Sequence, residues 1–265
     1  MSAVPTDNNV RELAAKTVLI TGATSGLGLA MARALAQAGA TVAVTGRSGD
    51  RAREIAAGLP NAIGIELEVR DESSVAHAVG EAWSKLGGID MLVNNAGIGM
   101  RTVNPRFLEE PQPFWKVTPA GFRDVVETKL TGCFLMAREI TPLMLEHGGG
   151  RIVNISMNQQ TMVRRGFVPY GPSGAAVEAL SRVIAADLAG SSVTVNILLP
   201  GGRGTLTRMV PDDAPAEARA RLLDPAVVGP PIVWLASRQA TGTHNARITA
   251  TEFKSWLRER DNATA

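Results

Sequence analysis

From Thr17 onward, short runs of aliphatic and β-branched residues alternate with longer stretches rich in Ala, Leu and charged side chains. Residues 18–20, 41–45, 62–69, 90–93, 151–155 and 193–199 carry the strand pattern. Between them, a stretch opening at Gly28 and residues 50–57, 72–86, 120–146 and 170–188 have helical composition. Strands separated by helical segments of about ten residues or more are the mark of parallel pairing, because a right-handed crossover needs that length. The pattern predicts an α/β fold: a single doubly wound domain, with a parallel sheet covered by helices on both faces.

Two segments interrupt the rhythm. Residues 99–118 contain Pro105, Pro111, Pro113 and the pair Phe114 and Trp115, and are too long for an ordinary connection. They suit either a flap over a pocket or a surface insertion. Residues 201–225, after Pro200, are rich in Gly, Thr, Arg and Pro and suit a mobile lid or a connector. Residues 1–15 are polar and read as a loose lead-in, so the domain is placed at 16–265.

Length and charge narrow the partners. A chain of 265 residues with a net charge of +2 has enough sequence for one large core and no basic run interleaved with aromatics. A small-molecule substrate is expected, with no nucleic acid and no membrane. The lone Cys133 cannot form an internal disulfide, which points to a reducing cytoplasm. His77, His147 and His244 lack ligand spacing, so no metal is expected.

The chemistry begins at residues 21–28, where Thr21, Gly22, Ala23, Thr24, Ser25, Gly26, Leu27 and Gly28 join the first strand to a helix. Gly22 allows a tight turn, Gly26 lets the backbone approach phosphates, and Gly28 lets strand and helix pack closely. The free N–H groups of the helix start then face negative charge. This is a place for a nucleotide pyrophosphate.

Further motifs follow in order: Asn94, Asn95, Ala96 and Gly97 after the fourth strand, Tyr170 at a helix start, Asn196 in the sixth strand, and Pro200 with Gly201. Together they resemble the short-chain dehydrogenase/reductase family, from Thr17 to about Phe253. The resemblance implies a Rossmann sheet, a nicotinamide cofactor and hydride transfer to or from a carbonyl or alcohol carbon. It places the cofactor against residues 22 and 24–28, Asn95, Ala96, Gly97, Tyr170, Pro200, Gly201 and Thr205.

At the end of the second strand the family's NAD-preferring members carry a carboxylate, whereas here Thr45, Gly46, Arg47 and Ser48 stand. Gly46 leaves room, and Arg47 with Ser48 can hold a 2′-phosphate, so NADP(H) is expected over NAD(H). Glu68 and Val69 match the place where the family has Asp-Val at the adenine.

The catalytic positions depart from the resemblance. Tyr170 is present, but the lysine four residues on is Gly174. The spacing for the serine falls on Met157, between Ser156 and Asn158, and the position of the family's helical Asn holds Lys129. One reading is that Lys129 projects into the volume vacated at Gly174 and supplies the missing ammonium; another is that it points outward, or pairs with Glu127 or a neighbouring subunit. A unit charge about 5 Å from the phenol at an effective dielectric near 20 is worth roughly 3 kcal/mol, about two pK units. Without a cation Tyr170 stays protonated, which still permits carbonyl reduction. Ser156 or the amide of Asn158 is expected to polarise the substrate oxygen, and Met157 to form a wall.

Arg164, Arg165, Arg203 and Arg208 would suit an acidic substrate, or are simply solvated; Phe114, Trp115 and Phe167 suit a pocket or the core. The helices at 120–146 and 170–188 carry Leu130, Phe134, Ala175, Ala176 and Leu180 around much of their circumference, predicting a homodimer or homotetramer. Trp256 suits an interface or a pocket edge. The expected activity is that of an NADP(H)-dependent oxidoreductase with Tyr170 as proton donor. A lapsed NADP(H)-binding sensor or partner subunit, and a non-redox acid/base enzyme, stand as alternatives.

Overall fold

The computed structural model describes residues 12–202, 204–207, 209–211 and 216–264. Seven parallel strands form one sheet in the order β3-β2-β1-β4-β5-β6-β7. They are β1 (Thr17–Ile20), β2 (Thr41–Gly46), β3 (Ala62–Glu66), β4 (Met91–Asn94), β5 (Gly150–Ile155), β6 (Val193–Leu199) and β7 (Arg247–Thr249). The helices are α1 (Gly26–Gln37), α2 (Gly49–Ala57), α3 (Glu72–Leu86), α4 (Pro119–Val126), α5 (Gly132–Glu146), α6 (Gln159–Met162), α7 (Tyr170–Asp187), α8 (Ala216–Ala220), α9 (Gly229–Ala236) and α10 (Phe253–Thr264).

The alternation of side chains along each strand divides the core in two. Val18 and Ile20 of β1, with Val42 and Val44 of β2, face Met31 and Leu35 of α1 and Ile232 of α9. Leu19 and Ala43, one residue out of phase, face Val75 and Val79 of α3 and Met136 and Ile140 of α5 on the opposite side. A strand buried on both faces has no polar alternation, which is why these strands are continuous apolar runs.

The structure departs from the sequence reading at several points. The third strand ends at Glu66, where its pairing with β2 stops at Gly46, and residues 67–69 continue as buried coil. The helix expected over 120–146 is present but passes through a π-helical turn at Glu127–Thr131 that divides it into α4 and α5. The three-residue β7 has no counterpart among the expected strands. Leu13, within the segment expected to be loose, is fully buried against the α1 side of the sheet.

Trp256 covers α9: its ring packs 5.3 Å from Trp234 and stacks at 6.2 Å on Phe253. In the segment 99–118, Met100 and Phe107 pack against Phe167 beside Tyr170. Phe114 and Trp115 are two-thirds exposed and pack on each other. After β6, Thr205 forms an isolated bridge with Leu223.

Candidate active site

Order reverses between β1 and β4, so the loops leaving their carboxyl ends diverge and open a crevice. The glycine loop lies there. Gly22 (φ 64°) and Gly26 (φ 55°) adopt the left-handed conformation that other residues resist. A Cβ on Gly28 would lie 2.4 Å from the Gly22 carbonyl oxygen and 2.5 Å from Asn95 Nδ2, so close packing demands glycine.

Asn95 braces this loop, donating from Nδ2 to the carbonyls of Thr21 (2.9 Å) and Gly22 (3.1 Å). Thr21 Oγ1 accepts from the backbone N–H groups of Asn95 and Ala96, each at 2.9 Å, and locks the β4 loop against it. The helix start behind the loop stays open. Ser48, Asp71 and Thr118 cap α2, α3 and α4 through their side chains, whereas Ser25 makes no such bond at α1 and no acid stands in its first turn. Uncapped N–H groups and an unopposed helix dipole are what a pyrophosphate needs.

The other expected contacts vary in availability. Thr24 packs on Gly46, where a Cβ would lie 2.8 Å from its methyl group, so Gly46 serves Thr24 as well as any ligand. Leu27 packs its side chain on the core. Arg47 is exposed at the end of β2 with no ion-pair partner among the described residues, and Ser48 caps α2 by accepting from the N–H of Arg51. Glu68 is held by Arg70: burial pushes its carboxyl up, but hydrogen bonds from the Arg70 side chain and backbone leave it below the ordinary value. Val69 is buried against Gly132. Gly97 lies beside the lid, about 4.0 Å from Met209 Cε by its ideal Cβ. Gly201 (φ 88°) turns the chain out of β6, and the Pro200 carbonyl accepts from Thr251 N at 3.3 Å.

At the catalytic positions, Lys129 sits in the π-helical turn, and its Nζ lies 5.4 Å from the centroid of the Tyr170 ring. Both side chains are half-buried. Burial lowers the Lys129 ammonium to about 8, and burial raises the Tyr170 phenol. The phenol is therefore protonated at neutral pH. Lys129 also faces a cavity of about 10 Å³, room for about one water, bounded by Thr21, Asn94, Ala96 and Cys133. Asn94 Oδ1 is buried without a hydrogen-bond partner, and burial pushes the Cys133 thiol up to about 12, out of nucleophilic range.

Lys129 does not fill the space at Gly174. Met157 does: an ideal Cβ on Gly174 would lie 2.6 Å from Met157 Cε and 2.9 Å from its sulfur. The oxygen-polarising role expected of Ser156 or Asn158 finds neither side chain free. Ser156 Oγ donates to Glu178 Oε1 at 2.6 Å, and Glu178 pairs through both oxygens with Arg247 Nε at 3.0 Å. Asn158 caps α6, accepting from Thr161 N at 2.7 Å, and its Nδ2 donates to the Gly202 carbonyl at 2.5 Å.

Two residues of the segment after β6 reach the site. Met209 Sδ lies 3.8 Å from the Tyr170 hydroxyl and packs on Gly99, and Thr207 packs on Gly26. Neither has a signal in sequence, since a lid contact has no periodicity. Arg164 lies over the Phe167 ring at 4.7 Å, Arg165 is exposed, and Arg203 and Arg208 lie outside the described residues. Among the described residues no group of His, Cys, Asp or Glu could hold a metal ion, and no helix is long and apolar enough to cross a membrane.

Comparison with known proteins agrees with this geometry. Residues 16–217 match the family model for short chain dehydrogenase. The 3-oxoacyl-(acyl-carrier-protein) reductase FabG of Aquifex aeolicus is 36% identical over 195 residues, 72% of this chain and 75% of the relative. A 3beta-hydroxysteroid dehydrogenase of Mediterraneibacter gnavus is 32% identical, over 86% of this chain and 79% of its own. Among solved structures, the 3-ketoacyl-(acyl-carrier-protein) reductase of Brucella melitensis complexed with NADH has a TM-score of 0.78 at 29% identity, covering 89% of this chain and 96% of that one. The gluconate 5-dehydrogenase of Burkholderia cenocepacia in complex with NADP and tartrate has a TM-score of 0.77 at 26% identity, over 94% and 98%. With its seven-stranded parallel sheet, glycine loop and tyrosine in place, the chain belongs to the short-chain dehydrogenase/reductase family of nucleotide-binding oxidoreductases.

Proposed function

We propose that this chain is an NADPH-dependent reductase of a small-molecule carbonyl, with Tyr170 as proton donor and Lys129 as its cation. The observation that carries the reading is the Lys129 ammonium 5.4 Å from the Tyr170 ring, on a helix different from the one that usually supplies the lysine.

The glycine loop from Gly22 to Gly28, with Ser25 at the open end of α1, would hold the pyrophosphate. Arg47 and Ser48 would hold a 2′-phosphate, and Asn95 to Gly97, Pro200, Gly201 and Thr205 would flank the remaining length. When bound, the nicotinamide supplies the hydride. Tyr170, kept protonated by burial, donates its phenolic proton to the carbonyl oxygen as negative charge develops there. Lys129 opposes the charge left on the phenolate, an interaction of about 3 kcal/mol at an effective dielectric near 20. With Ser156 and Asn158 engaged elsewhere, polarisation of the carbonyl falls to Tyr170 and Lys129. Met209 must leave the phenol before a substrate oxygen can take its place, so the lid opens in each turnover.

Purified protein should oxidise NADPH with members of an aldehyde and ketone panel, and Tyr170→Phe should abolish that turnover. Tight NADPH binding with no turnover across the panel would overturn the reading and favour a second one, a nucleotide sensor. That second reading is supported by Met157 filling the space at Gly174. Exposed Phe134 on α5 and Val183 on α7 support self-association through these helices, which a monomeric mass in solution would refute.

A further inference from the structure

A cleft of about 440 Å³ lies at the amino-terminal ends of β1, β4, β5 and β6, opposite the end that carries the glycine loop and Tyr170. The six residues of β5 separate the two, roughly 17–20 Å along the strand. Its volume is in the range of small-molecule sites, and nothing in the reductase reading uses it.

The charges of the cleft do not cancel. Lys16 and Asp90 form an ion pair at 2.7 Å, and the second oxygen of Asp90 accepts from Thr17 N at 2.9 Å and Thr17 Oγ1 at 3.0 Å. Asp90 is thereby committed, its carboxyl held below the ordinary value by these bonds against the upward push of burial. Arg151, the second residue of β5, lies on the same wall. One of its nitrogens, Nη1, donates to the carbonyls of Leu235 and Ser237, which fixes the guanidinium, while Nε and Nη2 have no protein partner among the described residues. Half-buried beside a carboxylate already neutralised by Lys16, Arg151 leaves the cleft with one uncompensated positive charge.

Hydroxyls line the cleft with that charge, and Thr194 is the register partner of Arg151 on β6. Ser192, Thr194 and Thr241 line the cleft, and their hydroxyls make no hydrogen bond to another protein group among the described residues. A fixed guanidinium edge in a cleft that also presents free hydroxyls is a donor set for a tetrahedral oxyanion. A cation is disfavoured because the single carboxylate is satisfied, and a nucleic acid because the excess is one charge.

We infer that this cleft binds a small phosphate-bearing anion, with Arg151 as the charged contact and Thr194 and Thr241 as hydrogen-bond donors. The inference does not depend on the reductase reading, since no group of the catalytic end takes part.

The test is isothermal titration calorimetry with inorganic pyrophosphate, run with NADPH at saturation so that the glycine loop is filled. Wild-type protein should bind one pyrophosphate per chain. Thr241→Glu, a surface change that puts a carboxylate at the mouth, should weaken this at least about tenfold while leaving NADPH affinity unchanged. Thr194→Val should weaken it severalfold without any new charge. Absence of binding to the NADPH-saturated wild type would overturn the inference, and so would equal affinity in wild type and Thr241→Glu. Should NADPH itself fail to bind, the same pair of proteins titrated without it still separates the outcomes: a pyrophosphate affinity lowered by Thr241→Glu supports the cleft, and one left unchanged places the anion elsewhere and overturns the inference.

Discussion

The side chain of Met157 occupies the space that any residue other than glycine at position 174 would enter, with its Cε 2.6 Å from an ideal Cβ there. The two positions are thus one packing unit across the junction of β5 and α7. A lysine at 174 cannot be read as missing in isolation, because its place has been filled from the other wall. Gly174→Lys alone should lower stability by about 1–3 kcal/mol through overpacking, measured by urea denaturation, and should not raise turnover. Met157→Ser with Gly174→Lys should recover part of that loss, so that the two changes are not additive. Additive effects would show that Met157 and Gly174 do not share this space.

Lys129 gives a prediction in pH. Its ammonium is lowered by burial to about 8, whereas the Tyr170 phenol is raised, so the lysine loses its proton first. If the cation supports proton donation, kcat/KM should be level below pH 8 and fall as pH rises through it. Lys129→Arg, whose charge persists to about pH 12 or beyond, should abolish that fall, while Lys129→Met should be poorly active throughout. A fall near pH 8 that survives in Lys129→Arg would assign the titration to another group.

The same shift predicts a stability change of opposite sign to the activity change. The folded-state value near 8 lies below the ordinary 10.5, so between them the unfolded chain holds more protons and stability rises with pH. Below pH 8 the full cost of burying the charge is present. Lys129→Met should therefore be more stable than wild type at pH 7, by up to ~3 kcal/mol, with the gap closing towards pH 10.5. Thermal unfolding across that range checks it, and a destabilised Lys129→Met at pH 7 would show that the ammonium makes favourable contacts that outweigh its desolvation.

Arg47 stands exposed with Gly46 and Ser48 where a carboxylate would otherwise repel a 2′-phosphate. Arg47→Asp should raise the KM for NADPH by about 10–100-fold, the worth of a charge-assisted contact, and change that for NADH little. Equal effects on both cofactors would place Arg47 outside the 2′-phosphate site.

Much of the fold is legible in the sequence because its signals are local. Val18, Leu19 and Ile20 announce a strand buried on both faces, and Gly22 and Gly26 mark backbone that turns left-handed. The pattern over 62–69 overstates its strand because Leu67 and Val69 are buried like strand residues, though the ladder ends at Glu66. The π-helical turn at Glu127–Thr131 has no compositional signature, and β7 has only three residues, led by an Arg. Leu13 is one of several scattered apolar residues in the lead-in, with Val4 and Val10, and only its burial singles it out. In the site, Lys129 and Gly174 can be read as departures from the pattern, although Lys129, 5.4 Å from the Tyr170 ring centroid, does not enter the space at Gly174. The occupant of that space cannot be read, because it depends on which way Met157 turns from the end of β5.

Ser156 is the last position where sequence and structure pull apart, and its partners make the difference measurable. Its hydroxyl donates at 2.6 Å to Glu178, whose carboxylate also pairs with Arg247, and Arg247 Nη2 donates to the Met157 carbonyl at 3.1 Å. This chain of bonds fixes the strand end that carries Met157 and joins α7 to β7. Ser156→Ala removes a hydrogen bond to a charged group and should cost about 1.5–3 kcal/mol of stability. Turnover of the folded variant should stay within about threefold of wild type, with kcat and KM shifted little. Glu178→Ala should cost more, because it strands the half-buried Arg247 without its carboxylate. A Ser156→Ala protein of unchanged stability whose kcat falls by about a hundredfold would instead return the hydroxyl to the reacting carbonyl, and would require Ser156 to swing away from Glu178 when the lid opens.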